Sequence, residues 1–132
     1  MKLFHILLLS VLLPYNLSFA EDKGYDVFVP IAKYIRCGDA DKLSSWFADN
    51  LEIAIVSKPC DSSRDQARQI VKTFFSTHTP HSFDITHNTG RSNMRYALGV
   101  LNAGGERFMV TIFVSYEQDY FKIQQLKIER VE

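Results

Sequence analysis

The chain has 132 residues, with 15 Lys and Arg against 15 Asp and Glu, so its formal net charge is zero. A chain of this length forms one domain that buries about two thirds of its unfolded surface. The balanced charge and the lack of a basic cluster exclude the usual basis of nucleic-acid binding, because neutralised phosphates supply most of that affinity.

Residues 1–20 have the pattern of a secretory signal peptide. Lys2 provides the short basic region at the N-terminus, and residues 3–13 are an apolar run. Small residues occupy the −3 and −1 positions of a cleavage site after Ala20. A membrane anchor is the alternative, but the run is shorter than the ~20 apolar residues that a span needs. We therefore predict export to the periplasm or the medium, and a mature single domain, 21–132, without a membrane span.

Two helices are predicted at the start of the mature chain. The first covers residues 25–37, Gly38 suits the left-handed position that ends it, and Asp39 can cap the next helix through its carboxylate. The second helix has apolar residues at i, i+3 and i+4, namely Leu43, Trp46 and Phe47.

A strand and a longer helix follow. Residues 51–56 read as the strand, and residues 58–61 as a break. Ser63 and Gln66 form a capping-box pattern at the start of the third helix, which Pro80 ends. The apolar stripe of this helix consists of Ala67, Ile70, Val71, Phe74 and Phe75.

Beyond Pro80 the apolar period becomes two, which predicts four strands. Phe83, Ile85 and His87 share one phase of the first, and Met94, Tyr96, Leu98 and Val100 share one face of the second. Residues 108–116 are apolar at nearly every position, so this strand is predicted to be central and covered on both faces. The apolar phase changes within 120–131, so either both faces are partly buried or a bulge at Gln124-Gln125 resets the register.

Gly38-Asp39-Ala40 lies at the first junction, and Trp46-Phe47-Ala48-Asp49 closes the second helix. With these segments, the order of elements resembles the nuclear transport factor 2-like superfamily. Ketosteroid isomerase and scytalone dehydratase share that cone-shaped fold. Three segments also look like a family of small exported proteins of unknown function from Bacteroidetes: Ile31-Ala-Lys-Tyr-Ile35, Ser57-Lys-Pro-Cys-Asp61 and Leu101-Asn-Ala-Gly-Gly105. The predicted class is α+β, with three N-terminal helices, a first strand before the long helix, and a curved antiparallel sheet.

The resemblance implies a pocket between the concave sheet face and the helices, often with a homodimer on the outer sheet face. Catalytic members need an acid or base inside the cone, where desolvation tunes its pKa. The strand carboxylates of this chain fall on the polar phase or at strand ends, and none matches the catalytic groups of ketosteroid isomerase: Asp84, Glu106, Glu117 and Glu129.

Aromatic residues and one histidine are the candidates for lining a pocket: Tyr34, Trp46, Phe74, His87, Tyr96 and Tyr116. Aromatic walls with a few polar tips are typical of small-molecule sites, but the same residues can simply form a core. The candidate dimer face consists of Met109, Thr111 and Phe113, on the opposite phase from Val110 and Ile112.

The cysteines and histidines give weaker signals. Cys37 and Cys60 either pair as a disulfide, which an oxidising compartment permits, or remain two thiols. Cys60 precedes a helix, which could activate a nucleophile, but no histidine adjoins it. The His78-Thr-Pro-His81 pair and His87 favour a surface connection over a metal centre, because Pro80 breaks the element between them. We predict no metal and no cofactor.

The sequence as a whole favours an exported, non-catalytic binding or protein-interaction module. A homodimer is the first partner to consider, and a small apolar ligand or another exported protein is the second. The competing hypothesis is a small hydratase- or isomerase-type enzyme that acts on an apolar metabolite in the cone pocket.

Overall fold

A computed structural model describes residues 26–131. The predicted signal peptide and the first residues of the mature chain lie outside the described residues. The elements of the described part, in chain order, are α1 (Phe28–Cys37), α2 (Ala40–Ser44), β1 (Phe47–Ile55), β2 (Cys60–Ser63), α3 (Arg64–Thr77), β3 (Pro80–Gly90), β4 (Met94–Ala103), β5 (Glu106–Glu117) and β6 (Tyr120–Arg130).

Local sequence signals set the helix ends as predicted. Gly38 follows α1 with φ of 68°, a left-handed conformation that glycine adopts without steric cost. The Asp39 carboxylate accepts from the Lys42 backbone N–H at 3.0 Å and caps α2. The Ser63 hydroxyl accepts from the Gln66 N–H at 3.2 Å and caps α3. Both N-caps are therefore confirmed.

The second helix is shorter than predicted, because α2 ends at Ser44 and Phe47 already belongs to β1. The hydroxyls of Ser44 and Ser45 donate to backbone carbonyls three residues earlier, at 2.7 and 2.6 Å, which closes the helix. The Trp46 carbonyl then accepts from the Ile123 N–H at 2.6 Å. This long-range bond draws the segment into the sheet, and the prediction of a helical Trp46-Phe47 face was wrong.

The six strands form one sheet in the order β2-β1-β6-β5-β4-β3. The four strands after α3 pair antiparallel as predicted. Two features were not predicted: β1 pairs with β6 in parallel, and β2 forms a short antiparallel edge strand where a break was expected.

The register shifts at several points of the sheet, and two of these shifts bear on the predictions. Phe113 pairs with Gln125 while Val114 pairs with Ile123, so Gln124 is an extra residue in β6. Of the two alternatives for this strand, the bulge is the one that the structure shows. A second shift lies between Ile85 and His87 in β3. It moves His87 to the opposite sheet face from Ile85, so the prediction that they share one phase was wrong.

The helices all pack on one face of the sheet, which we call the inner face. Its residues on β5 are buried, and those on β4 are mostly small. Four fully buried phenylalanines fill the space beneath the helices: Phe28, Phe47, Phe83 and Phe108. The opposite phase of β5 is only half-buried, so among the described residues β5 is covered on one face rather than on both as predicted.

The tight turn between β5 and β6 holds two non-glycine residues in left-handed conformations, Gln118 with φ of 46° and Asp119 with φ of 74°. Positive φ at both central positions is the pattern of a type I′ turn, for which Asn-Gly is the preferred sequence. We expect the double substitution Gln118→Asn, Asp119→Gly to raise the free energy of unfolding by about 1 kcal/mol, because it removes this strain.

Urea denaturation of the mature chain measures this difference. Ser92→Gly is the control, since Ser92 lies in the β3–β4 connection and is not among the described residues with positive φ. An unchanged or lower stability of the double variant would contradict the description of the turn.

Candidate functional site

The interior of the cone is occupied by side chains. The buried residues between helices and sheet form one apolar cluster, and the buried polar residues of the described part are Ser44 and Ser62. A fully apolar interior is well packed, but it places no ionisable side chain where burial could tune a pKa. The candidate sites therefore lie on the surface of the domain.

An aromatic groove opens at one end of the molecule, with a volume of about 490 Å³. Its lining residues are Tyr34, Ser45, Trp46, Tyr120, Phe121 and Lys122. Tyr34 comes from α1, and Trp46 reaches the groove because Phe47 pairs with Ile123, which places Trp46 level with the start of β6. Tyr116 continues the aromatic surface, with its ring 5.1 Å from that of Phe121 in an edge-on arrangement.

A polar recess of about 450 Å³ adjoins this groove, and Lys122 lines both. The other residues of the recess are Ala48, Asp49, Asn50, Glu117 and Gln118. Asp49 is fixed by Arg64, whose guanidinium donates to its carboxylate at 2.6 Å. Lys122 thus connects the aromatic groove to a recess that carries acidic and amide groups.

The structure brings together only some of the candidate pocket residues. Tyr34 and Trp46 share the groove, and Tyr116 adjoins it. Phe74 is buried in the core, with its ring 5.2 Å from that of Phe108. Tyr96 and the exposed His87 lie on the outer face of the sheet, away from the helices.

Sequence reasoning missed Tyr120, Phe121 and Lys122. Their position depends on the parallel contact between β1 and β6, which no local pattern reveals. The turn at Gln118-Asp119 was the available signal, because a two-residue hairpin places the residues on either side of it opposite each other.

The outer face of the sheet carries an apolar patch that we call the outer patch. It consists of three cross-strand pairs of β4 and β5: Tyr96 with Phe113, Leu98 with Thr111, and Val100 with Met109. The predicted dimer-face residues are therefore neighbours on one exposed surface. Five of the six are half-buried, and Tyr96 is 44% exposed, with its ring 4.8 Å from that of Phe113.

A polar cluster joins the end of α3 to the β4–β5 hairpin. The Nε of Arg130 donates to the Glu106 carboxylate at 2.7 Å, and His78 Nε2 lies 3.5 Å from the other carboxylate oxygen. The hydrogen bond from Arg130 holds the pKa of the Glu106 carboxyl below its usual value. The His78 ring stacks on that of Phe74, with centroids 4.7 Å apart, so the cluster packs against the buried core.

Both cysteines are free and exposed, Cys37 at the end of α1 and Cys60 at the start of β2. The Cys60 thiol lies 3.6 Å from the Ser62 hydroxyl. Within residues 26–131, no three His, Cys, Asp or Glu side chains are grouped as metal ligands. No helix of this described part is long and apolar enough to cross a bilayer.

Comparison with known proteins identifies the fold. A family model described as "Domain of unknown function (DUF4783)" matches residues 28–129. A DUF4783 protein from Bacteroides uniformis has a TM-score of 0.77 at 22% identity, and the match covers 81% of this chain and 99% of that one. The search of curated proteins found no match.

More distant structures share only the fold. A domain of unknown function with a cystatin-like fold from Nostoc punctiforme has a TM-score of 0.63 at 9% identity, covering 78% of this chain and 72% of that one. A putative dehydratase of the NTF2-like family from Streptomyces avermitilis has a TM-score of 0.58 at 10% identity, and the match covers 78% of this chain and 90% of that one. The predicted resemblance to the nuclear transport factor 2-like superfamily and its Bacteroidetes relatives is confirmed.

Proposed function

Since this chain belongs to the DUF4783 family, a domain of unknown function with a nuclear transport factor 2-like fold, we propose that it is a non-catalytic interaction module that forms a homodimer through the outer patch. The predicted leader supports a role outside the cytoplasm.

The outer patch carries this proposal. The three helices of residues 26–131 pack on the inner face, so nothing in this described part covers the six residues of the patch. Antiparallel sheets that face water on one side usually alternate apolar with polar residues. Here the outward-facing residues of β4 and of the segment 109–113 of β5 are also largely apolar. An apolar patch of this kind is typical of an interaction surface.

The packed interior supports an interaction module over an enzyme of the hydratase or isomerase type. Phe28, Phe47, Phe83 and Phe108 occupy the place where a substrate would enter a hollow cone. Proton transfer in such a cone depends on a desolvated acid or base, whereas the buried polar side chains of the described residues are the hydroxyls of Ser44 and Ser62.

The margins of the outer patch support a second copy as the partner. Asp84 pairs with Val100 on the β3 side, while Glu129 pairs with Met109 and Lys127 with Thr111 on the β6 side. A two-fold interface places one patch against an identical patch, so a rim of a single charge would repel itself. A rim that carries both charges does not.

Sedimentation equilibrium of the mature chain, from low micromolar to near millimolar concentration, tests the proposal. We expect a monomer–dimer equilibrium that Thr111→Glu weakens at least about tenfold, because two carboxylates would meet at the centre of the interface. In the monomer the new carboxylate lies beside its cross-strand neighbour Lys127, so the fold is expected to tolerate it.

Thr73→Glu is the matched control, because Thr73 is exposed on α3, in the helical layer. It should leave the dissociation constant unchanged. A purely monomeric wild-type chain at the highest concentration, or equal association of the two variants, would refute the proposed dimer.

A further inference from the structure

We propose that the aromatic groove and the adjoining polar recess together form a binding site for a neutral saccharide. None of its residues belongs to the outer patch, so the inference goes beyond the proposed dimer and does not depend on it. The ligand class follows from three features of the surface: exposed aromatic faces, hydrogen-bonding groups at one end, and charges of both signs.

The aromatic half offers surface for the apolar face of a sugar ring. Tyr120 lines the groove and is 68% exposed, so its side chain is not explained by packing into the core. Tyr34, Trp46 and Phe121 line the same groove and are half-buried. Rigid aromatic side chains with polar tips bind ligands that have one apolar side and one polar side.

The polar half supplies partners for ring hydroxyls. Asn50, Glu117 and Gln118 are exposed and line the recess next to the groove. Carboxylates accept hydrogen bonds, and amides both accept and donate, which matches hydroxyl groups that do both. Asp49 is held in place by Arg64, so one of these acceptors is already positioned.

The charges argue for a neutral ligand over a cation or an anion. A cation would suit an aromatic cage, but Lys122 lines both the groove and the recess and would repel it. An anion would be attracted to Lys122 but repelled by Glu117, while the charge of Asp49 is compensated by Arg64. A polyhydroxylated neutral ring pairs with donors and acceptors of both signs without a charge conflict.

Saturation-transfer NMR and Trp46 fluorescence of the mature chain test the inference directly. The probes are pooled neutral hexoses, pentoses, N-acetylhexosamines and their linear oligomers. Tetramethylammonium and benzoate serve as a cationic and an anionic comparison. We expect saturable transfer to the ring C–H protons of at least one saccharide, together with a saturable change in Trp46 emission.

Two variants assign the binding to this site. Tyr120→Ala should weaken saccharide binding about tenfold, since it removes an exposed stacking face and leaves the core intact. Tyr96→Ala, a matched substitution on the outer patch, should leave it unchanged. The inference is overturned if no saccharide shows saturable binding, or if only tetramethylammonium or benzoate binds. It is also overturned if the two variants bind the saccharide with equal affinity. A monomeric chain that still binds sugar would refute the dimer alone.

Discussion

Phe108→Ala is expected to lower the free energy of unfolding by about 4 kcal/mol, a large share of the roughly 5–15 kcal/mol that stabilises a domain. Phe108 is fully buried on the inner face of β5. Its ring packs edge-on against Phe74, with centroids 5.2 Å apart, and against His78 at 5.5 Å. The guanidinium of Arg130 lies 5.8 Å from the ring centre. Truncation would leave a cavity bordered by Phe74, His78 and Arg130.

Chemical denaturation monitored by circular dichroism measures this loss. Phe108→Leu should cost much less, because it retains most of the volume. Tyr116→Ala is the control on the same strand, since its side chain is 51% exposed, and we expect a change below about 1 kcal/mol. A similar cost for Phe108→Ala and Tyr116→Ala would show that Phe108 is not at the centre of the core.

Gly99→Ala is expected to destabilise the domain by about 3 kcal/mol although it adds only a methyl group. A Cβ at Gly99 would lie 2.6 Å from the ring of Phe83 and 2.9 Å from the Asp84 carbonyl oxygen. Phe83 is buried, and Asp84 belongs to the paired backbone of β3, so neither group can move away easily. The strand pair itself would have to shift.

A double-mutant cycle separates this clash from other effects. Phe83→Leu removes the colliding ring atoms, so Gly99→Ala should cost at least about 1 kcal/mol less in that background. Gly105→Ala is the control, because nothing lies within 4 Å of a Cβ there and only its φ of 83° opposes the change. Strict additivity of the two substitutions would contradict the predicted contact.

The elements that sequence reasoning placed correctly have local causes. The caps at Asp39 and Ser63 each involve a side chain and a backbone N–H three residues later, so the pattern is complete within one turn. The bulge at Gln124 is equally local, because a change of apolar phase within one strand must be accommodated there. Such signals need no knowledge of the rest of the fold.

The errors have long-range causes. Trp46 and Phe47 have helical spacing after Leu43, but the backbone pairing with β6 outweighs that periodicity. On β4 the larger apolar residues lie on the outer face, and Gly99 lies on the inner face against Phe83. The prediction that Met94, Tyr96, Leu98 and Val100 share one face is confirmed. The pattern did not indicate which face is buried, because that depends on how closely the β3 side chains approach the strand.

In the candidate sites, too, the residues that depend on local patterns were predicted and those that depend on long-range pairing were missed. The alternation around Met109 and Phe113 predicted a candidate dimer face on one strand, and β4 supplies the other half of the outer patch through antiparallel register. The aromatic groove was only partly predicted, since Tyr34 and Trp46 were singled out but their neighbours Tyr120 and Phe121 come from the far end of the chain.

The parallel pairing of β1 with β6 has a consequence for the order in which the protein folds. The first strand, including Ile53 opposite Leu126, lacks its main partner until the last strand has been synthesised. Contacts between distant parts of a chain form slowly, because a long loop must close first. During translation, the β1–β2 hairpin therefore has a bare edge, and a product truncated before Tyr120 would expose unpaired edges on both β1 and β5. Such a fragment would aggregate, so this domain is expected to fold only after its whole chain has left the ribosome.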